Sequence, residues 1–220
     1  MNYLAIDFGN VISHLNFDQY LRKLSSSLNI SLDSASHFLN RTQKIHDLGL
    51  TNLNDELVDH FGIKSEVIRE EILESWNKIL VLDNTVLECL YKLETKYKLN
   101  IAILSNIGPE HASIIRNNRI LNRYTHHFSC EVGVRKPNYL YYQSFLQLHP
   151  EFKGCVYIDD LQENLDVGNK LGFNSYHFDL SKIKDFKKIN GCNEKLNFDA
   201  LKGNGFILSE FMKIEKFYKK

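Results

Sequence analysis

The chain has 220 residues, which is enough to bury a sizeable core in one large domain or two small ones. Its 27 Lys and Arg balance 27 Asp and Glu, so the overall charge does not indicate nucleic-acid or membrane binding. The four cysteines are far apart and fit no CxxC motif or cysteine-based metal spacing. Isolated thiols are typical of a reducing compartment, and we expect a cytoplasmic protein.

Targeting signals are not expected either. The chain opens on a predicted core strand, which leaves no room for a signal peptide, and it has no apolar run of about 18 residues. The charge is unevenly spread, however, because residues 181–220 carry a net charge of +5 and residues 1–180 a net charge of −5.

The first predicted element is a buried strand over residues 3–8. Its apolar run ends on the carboxylate of Asp7, and Gly9 and Asn10 then break the pattern. Ligands of open α/β sheets bind beyond the carboxyl ends of the strands. Asp7 is therefore placed to act as a nucleophile or as a metal ligand.

The next stretch, residues 14–82, shows helical periodicity with few breakers and predicts a unit of about four helices. Ser31 is the predicted start of the second helix. Residues 46–51 form a predicted turn, after which Thr51 is placed to cap the following helix.

From residue 84 onward, predicted helices and strands alternate. The helices cover 84–97, 109–117, 138–148 and 162–171, and the strands cover 100–105, 127–132, 154–158 and 174–178. Such alternation predicts a parallel sheet with right-handed crossovers. Beyond about residue 180 the chain is rich in Lys and Asn, and residues 206–218 predict an amphipathic helix docked on the body.

Polar side chains end three of these later segments. Ser105 and Asn106 follow an apolar strand, where a hydroxyl and an amide bind phosphate oxygens without adding charge, although Ser there is also a common helix cap. Lys136 stands before a proline and can balance clustered negative charge, the alternative being a solvated side chain. Asp159 and Asp160 close another strand and repel each other unless a cation compensates, the alternative being helix capping by Asp160.

Together these strand ends offer three carboxylates, one cation and two neutral polar groups. Mg²⁺ prefers oxygen ligands and often leaves part of its shell to a substrate phosphate. The set therefore suits phosphoryl transfer, in which a metal ion and a lysine neutralise charge while a carboxylate attacks phosphorus.

In this order, the segments around Asp7, Ser105, Lys136 and Asp160 resemble the motifs of the haloacid dehalogenase-like (HAD) superfamily, over residues 3–178. The first motif, Asp-Phe-Gly-Asn-Val-Ile, is similar to that of the α-D-glucose-1-phosphate phosphatase-like proteins, relatives of the N-terminal phosphatase domain of soluble epoxide hydrolases. The resemblance implies an α/β fold: a Rossmann-like, three-layer parallel-sheet core over 1–13 and 83–180, an inserted all-helical cap over 14–82, and a Lys-rich extension over 181–220.

The resemblance also implies roles for the residues that match its motifs. Asp7 is expected to form an aspartyl-phosphate and Lys136 to steady both Asp7 and the phosphate, while Ser105 and Asn106 hold the transferring group. Mg²⁺ is the implied cofactor. Its expected ligands are Asp7, the backbone carbonyl of Gly9, and Asp160 with Asp159 beside it, and Asn164 shapes the loop.

One position departs from the family pattern. Most phosphatases of the superfamily carry a second Asp two residues after the nucleophile, as the acid and base for the leaving oxygen and for water, and here that position is Gly9. Three consequences are open. The enzyme uses substrates with better leaving groups, or the cap supplies the acid through His14, His46 or Asp47, or the site is weak or inactive. The glucose-1-phosphate phosphatase-like proteins share the glycine and are regarded as active, which favours activity.

The sequence leaves three functions open. The favoured one is an Mg²⁺-dependent phosphatase, because the set of Asp7, Ser105, Lys136 and Asp160 is intact. The turn at 46–51 lacks the cationic side chains expected for a multiply charged substrate, which favours a small, singly phosphorylated metabolite, with sugar phosphates among the candidates. A metal-free haloacid dehalogenase is the first alternative, although such enzymes usually lack the acidic pair. A catalytically inactive binding protein is the second. We expect a monomer or homodimer without nucleic-acid or membrane partners.

Overall fold

The computed structural model describes residues 2–182 and 198–219. Cys192 and the rest of residues 183–197 in the Lys-rich extension therefore lie outside the described residues. The strands are β1 (Tyr3–Ile6), β2 (Ser13–Leu15), β3 (Leu80–Leu82), β4 (Asn100–Ser105), β5 (Thr125–Phe128), β6 (Val156–Asp159) and β7 (Asn174–His177). The helices are α1 (Phe17–Leu28), α2 (Leu32–His46), α3 (Leu53–Phe61), α4 (Glu66–Asn77), α5 (Asn84–Tyr97), α6 (Pro109–Asn117), α7 (Ser129–Val132), α8 (Tyr139–Leu148), α9 (Gln162–Lys170) and α10 (Phe198–Glu215).

Five strands form a parallel sheet in the order β5-β4-β1-β6-β7. Leu4 of β1 is in register with Ile101 on one side and with Val156 on the other. The connections run outward in both directions from β1, so the strand order reverses between β1 and β6. This reversal is the point at which open α/β sheets form their ligand crevice.

Alternation of side chains along the strands produces three layers. Leu4, Ile6 and Ile103 face one side of the sheet and join a buried cluster with residues of α5, α6 and α10. Ala5 and Tyr157 face the other side and pack with residues of α8 and α9. The expected α/β class with a Rossmann-like parallel sheet is therefore confirmed.

Helices α1–α4 have an apolar cluster of their own, which is built around Tyr20, Phe38, Leu57, Ile72 and Trp76. The chain enters and leaves this helical unit through a two-stranded antiparallel ribbon of β2 and β3. The periodicity of residues 14–82 predicts helices only and not this ribbon, whose strands have three residues each and stand far apart in the chain.

Two local predictions are wrong. Residues 127–132 are not one strand, because β5 ends at Phe128 and the next four residues form α7. The Ser129 hydroxyl accepts a hydrogen bond from the Ile107 peptide N–H at 2.9 Å, which ties this turn to the end of β4. Asn52, not Thr51, caps α3, since its side chain accepts a hydrogen bond from the Asp55 N–H.

The helix α10 begins at Phe198, earlier than the periodicity indicated, and it packs along α5. Ile207, Phe211 and Ile214 enter the core on that side of the sheet. Across the described ranges, the structure holds no helix with both the length and the apolar character needed to cross a bilayer.

Candidate active site

Asp7 lies directly beyond β1, at the crevice edge of the sheet. Its peptide N–H donates to the Ile158 carbonyl of β6 at 2.8 Å, which fixes its backbone between the two central strands. The chain then turns away at once, because Asn10 takes a left-handed conformation that Asn tolerates better than most residues. The Asp7 carboxylate is buried, with 7% of the residue exposed.

The Lys136 ammonium group stands at the centre of the cluster and is buried. Its Nζ is 2.8 Å from Asp7 Oδ1 and 2.7 Å from Asp159 Oδ2, and it donates a third hydrogen bond to the Leu104 carbonyl at 2.8 Å. These three acceptors use the three N–H bonds of the ammonium group. Lys136 therefore links the ends of β1, β4 and β6.

Asn106 positions Lys136 through its side-chain amide. The Lys136 N–H donates to Asn106 Oδ1 at 2.8 Å, and Asn106 Nδ2 donates to the Lys136 carbonyl at 2.9 Å. In this structure the amide fixes the loop that carries Lys136. Asn106 and Ser105 both line the cavity, and the role of Asn106 in phosphate binding stays a prediction.

The two carboxylates after β6 have different surroundings. Asp159 accepts hydrogen bonds from the Tyr157 hydroxyl, the Leu161 N–H at 2.9 Å and Asn164 Nδ2 at 2.8 Å, in addition to Lys136. Asp160 receives one side-chain hydrogen bond, from Asn10 Nδ2 at 3.1 Å. Asp159 therefore holds Lys136 in place, and Asp160 is the carboxylate that is available to a ligand.

The donor set fits a magnesium ion. Asp7, Asp159 and Asp160 each place one carboxylate oxygen so that all three atoms lie within 4.8 Å of one another. A single ammonium faces three carboxylates, so the cluster has an excess of negative charge that a divalent cation would offset. Asp7 and Asp160 are the fitting side-chain ligands, since both oxygens of Asp159 are already engaged. The role of the Gly9 carbonyl stays a prediction.

Burial and like charges dominate the titration of these acids. Burial raises the pKa of Asp7 to about 7, with the Lys136 ammonium opposing and Asp159 and Asp160 adding to the shift. Burial likewise raises the pKa of Asp160 to about 6. Burial also acts on Asp159, but Lys136 outweighs it and holds the pKa of Asp159 below its ordinary value. Perturbed acids in a crevice are typical of functional sites.

A cavity of about 230 Å³ opens in front of Asp7. Its apolar wall comes from both the ribbon and the helical unit and includes Leu15, Phe17, Trp76 and Ile79. Among the described residues, the titratable side chains that line it are Asp7, Asp47, His111, Arg135, Lys136 and Asp160. This volume is below the usual range of ligand pockets.

Of the three candidate acids within residues 14–82, namely His14, His46 and Asp47, only Asp47 lines this cavity. His14 belongs to the ribbon, where its Nε2 is 3.0 Å from Asp83 Oδ2. His46 is buried, with Nε2 2.5 Å from Glu110 Oε2 at the start of α6. Asp47 follows α2 and reaches the cavity wall, and its Oδ2 lies 2.8 Å from Nη2 of Arg135.

The turn after α2 is seated tightly on the sheet. The Ser129 hydroxyl donates to the Asp47 carbonyl at 2.6 Å, and the His46 ring occupies the space where a Cβ on Gly108 would stand. Gly49, at φ +69°, packs so closely against the Cys130 carbonyl that a Cβ would fall 2.2 Å from its oxygen. The position of Asp47 is therefore set by contacts on both sides of it.

The fold can be compared with known proteins, although no protein-family model matches the chain and the curated proteins give no match either. A HAD family enzyme from Bacteroides thetaiotaomicron has a similar structure, with a TM-score of 0.68 and 21% identity over 80% of this chain and 93% of its own. The protein has the HAD fold. Another structure of that Bacteroides enzyme is a complex with magnesium and inorganic phosphate.

Enzymes of different chemistry share this HAD fold. A HAD phosphatase from Thermococcus onnurineus matches with a TM-score of 0.58 and 17% identity, over 89% of this chain and 90% of its own. An L-2-haloacid dehalogenase matches with a TM-score of 0.59 and 14% identity, over 90% of this chain and 91% of its own. At these identities the likeness shows the fold, and the chemistry has to be argued from the site.

The sequence patterns assign no functional role to three residues that line the cavity, Arg135, His111 and Trp76. Arg135 was passed over beside Lys136, although a second cation next to the first was a usable signal. His111 and Trp76 stack at 4.7 Å between ring centres, and the His111 Nε2 is 2.9 Å from the Trp76 carbonyl. Their spacing in helical patterns predicts only buried faces, so nothing in the sequence marked them.

Proposed function

We propose that this protein is an Mg²⁺-dependent phosphatase that acts on a small phosphorylated metabolite through an aspartyl-phosphate on Asp7. The observation that carries the proposal is the Lys136 ammonium, buried between Asp7 and Asp159 with Asp160 beside them. Such a cluster keeps a nucleophilic carboxylate fixed, and its excess negative charge calls for a metal ion. The Bacteroides enzyme, which has a similar fold, forms a complex with magnesium and inorganic phosphate, and this supports a metal ion and a phosphate group as the ligands of the present cavity.

Each side chain of the cluster has its own role in the proposed reaction. The Asp7 carboxylate attacks phosphorus, and Lys136 keeps that carboxylate oriented through its contact with Oδ1. The Ser105 hydroxyl, at the end of β4 in the same cavity, is placed to donate to a phosphoryl oxygen. A bound Mg²⁺, held by Asp7 and Asp160, would favour the ionised form of Asp7 and neutralise charge on the phosphoryl group.

The cavity limits the substrate. A cavity of about 230 Å³ encloses a phosphate with a small organic group, so we expect small esters to be preferred over nucleotide-sized ones. Asp47 and Arg135 provide polar contacts for a hydroxylated leaving group, while Leu15 and Phe17 supply an apolar wall. Small sugar phosphates and related polyol phosphates are therefore the substrates that we place first.

A metal-free dehalogenase is the alternative reaction on the same fold. Its substrate is an anionic haloacid and its leaving group is a halide, so three carboxylates against one lysine are unfavourable without a metal ion. The acidic cluster therefore favours the phosphatase.

The test is phosphate release from a panel of small phosphate esters by the purified protein, with Mg²⁺ or with EDTA. We expect turnover with Mg²⁺ only and none in Asp7→Asn. Asp59→Asn makes the same change at an exposed position of α3 and should leave the rate unaltered. Halide release from 2-haloacids in EDTA, without phosphate release, would support the dehalogenase. Folded protein that is inactive in both assays would support a binding protein.

A further inference from the structure

We propose that Asp47 is the acid–base residue of this reaction, which protonates the oxygen of the leaving alcohol and then accepts a proton from the attacking water. The inference rests on the proposed phosphatase function. It starts from a chemical need: an alkoxide is a poor leaving group unless it is protonated as the bond to phosphorus breaks. Gly9, two residues beyond Asp7, offers no side chain for this purpose.

The other titratable side chains of the cavity are committed elsewhere. The three N–H bonds of Lys136 go to Asp7, Asp159 and the Leu104 carbonyl. Arg135 does not release a proton at accessible pH, and Asp7 and Asp160 are the nucleophile and the proposed metal ligand.

His111 cannot supply the proton either. Burial lowers the pKa of His111 to about 4, so its ring is neutral near pH 7. Its Nε2 is held at 2.9 Å from the Trp76 carbonyl, which fixes the remaining proton there and leaves none on the other nitrogen. Among the described residues that line the cavity, Asp47 is left.

The surroundings of Asp47 suit both proton transfers. Asp47 is only 4% exposed, and Arg135 Nη2 lies 2.8 Å from its Oδ2. Burial raises the pKa of Asp47 above its ordinary value, although Arg135 and His46 oppose the shift. The acid is therefore easier to keep protonated before the reaction, and Arg135 stabilises the carboxylate that forms when the proton leaves.

Arg135 also links the proposed acid–base residue, Asp47, to the loop that holds the nucleophile, Asp7. It precedes Lys136 in the chain, so the cation that pairs with Asp47 and the cation that pairs with Asp7 are neighbours on one loop. Asp47 itself is held by the Ser129 hydroxyl on its carbonyl at 2.6 Å. Arg135 is a positioning residue in this scheme, because it acts through Asp47.

The two steps balance. In the first, an Asp7 oxygen bonds to phosphorus, the bond from phosphorus to the ester oxygen breaks with its electron pair, and the Asp47 proton moves to that oxygen to give the alcohol. In the second, a water oxygen bonds to phosphorus and passes one proton to the Asp47 carboxylate. The bond between phosphorus and Asp7 then breaks, which releases phosphate and restores both carboxyl groups.

The test compares Asp47→Asn with the unaltered protein on two esters. On glycerol 2-phosphate, whose leaving alkoxide needs a proton, we expect kcat/KM, which reports the transfer to Asp7, to fall about 10²–10⁴-fold. On p-nitrophenyl phosphate, whose leaving group needs none, we expect kcat/KM to fall less than about tenfold. The kcat values should fall on both esters, because both share the attack of water on the aspartyl-phosphate. Asp83→Asn is the matched control, since Asp83 is a buried, histidine-paired acid outside the cavity lining; any loss there should be equal on both esters.

A second variant tests the same role in reverse. A Cβ on Gly9 would meet only the tip of Leu15, at 3.1 Å, so Gly9→Asp fits with a small movement of that side chain. In the Asp47→Asn background it should raise kcat/KM for glycerol 2-phosphate at least about tenfold.

Equal losses of kcat/KM on both esters in Asp47→Asn, or no loss on either, would overturn the role of Asp47 as the acid while leaving the phosphatase intact. An unaltered protein that releases phosphate from neither ester would overturn both. Thermal unfolding of each variant shows whether a lost rate reflects a lost fold, and rescue by Gly9→Asp supports the proposal even where Asp47→Asn is less stable.

Discussion

The ionised Asp7 carboxylate should reduce the stability of this protein at neutral pH, and Asp7→Asn should restore part of that stability. The pKa of Asp7 rises from 3.8 to about 7 on folding, which is about 3 pH units. At 1.36 kcal/mol per unit, this costs the metal-free protein about 4 kcal/mol above pH 8. We expect a gain of about 1–3 kcal/mol, because the amide leaves Lys136 with one carboxylate fewer to pair.

The sign of the effect follows from proton linkage. The folded protein holds the Asp7 proton more tightly than the unfolded chain does, so this group lowers stability progressively as pH rises from about 4 to about 7. Asp7→Asn should therefore unfold at a higher temperature than the unaltered protein at pH 8, and its advantage should vanish near pH 4. For a chain of this length, 1 kcal/mol corresponds to about 2–4 °C.

The assay is thermal unfolding in EDTA across this pH range, repeated with Mg²⁺ at pH 8. Mg²⁺ should raise the unfolding temperature of the unaltered protein and have less effect on Asp7→Asn, because the variant has lost a ligand. Asp59→Asn, the exposed control on α3, should show none of these changes. An Asp7→Asn protein that is no more stable than the unaltered one at pH 8 would refute the reasoning.

Three further outcomes are expected. Lys136→Met should cost about 3–5 kcal/mol in urea unfolding, because it leaves two buried carboxylates without their cation; a cost below about 1 kcal/mol would contradict this. Gly108→Ala places a Cβ 1.8 Å from the His46 ring and should cost about 1–3 kcal/mol, whereas Gly205→Ala meets open space and should cost nothing. Burial would raise the pKa of Glu110, but its contacts with His46 and the Leu53 N–H outweigh burial and lower the pKa to about 2. Glu110→Gln should therefore cost about 1 kcal/mol of stability at pH 7, and this cost should shrink as pH falls below 4.5. A cost that does not vary with pH would argue against the lowered pKa.

The sequence predicted the strand ends well because each one has a simple signature. Asp7, Ser105 and Asp159 each follow an apolar run, and parallel strands bring their carboxyl ends to one edge of the sheet. The gathering of Asp7, Ser105 and Asp160 thus follows from order and alternation, whereas Lys136 reaches the cluster from the loop between α7 and α8. How each side chain is used does not, since Asn106 holds a loop and Asp159 is saturated by hydrogen bonds.

Contacts between distant segments explain what the sequence could not predict. The β2–β3 ribbon joins Ser13–Leu15 to Leu80–Leu82, and neither segment is long enough to show a strand period. The pairing of Asp47 with Arg135 joins the end of α2 to the loop before α8, so only the folded chain reveals it. The same holds for His46, one of the candidate acids, whose ring pairs with Glu110 and is not among the residues that line the cavity.

The most direct test of the account is whether Asp7 becomes phosphorylated. The protein would be mixed with Mg²⁺ and a small phosphate ester, quenched in acid during turnover, digested and measured by mass spectrometry. We predict that the peptide that contains Asp7 gains the mass of one phosphoryl group, and that Asp7→Asn shows no such gain. Steady turnover with an unmodified Asp7 peptide, or turnover that survives in Asp7→Asn, would contradict the account.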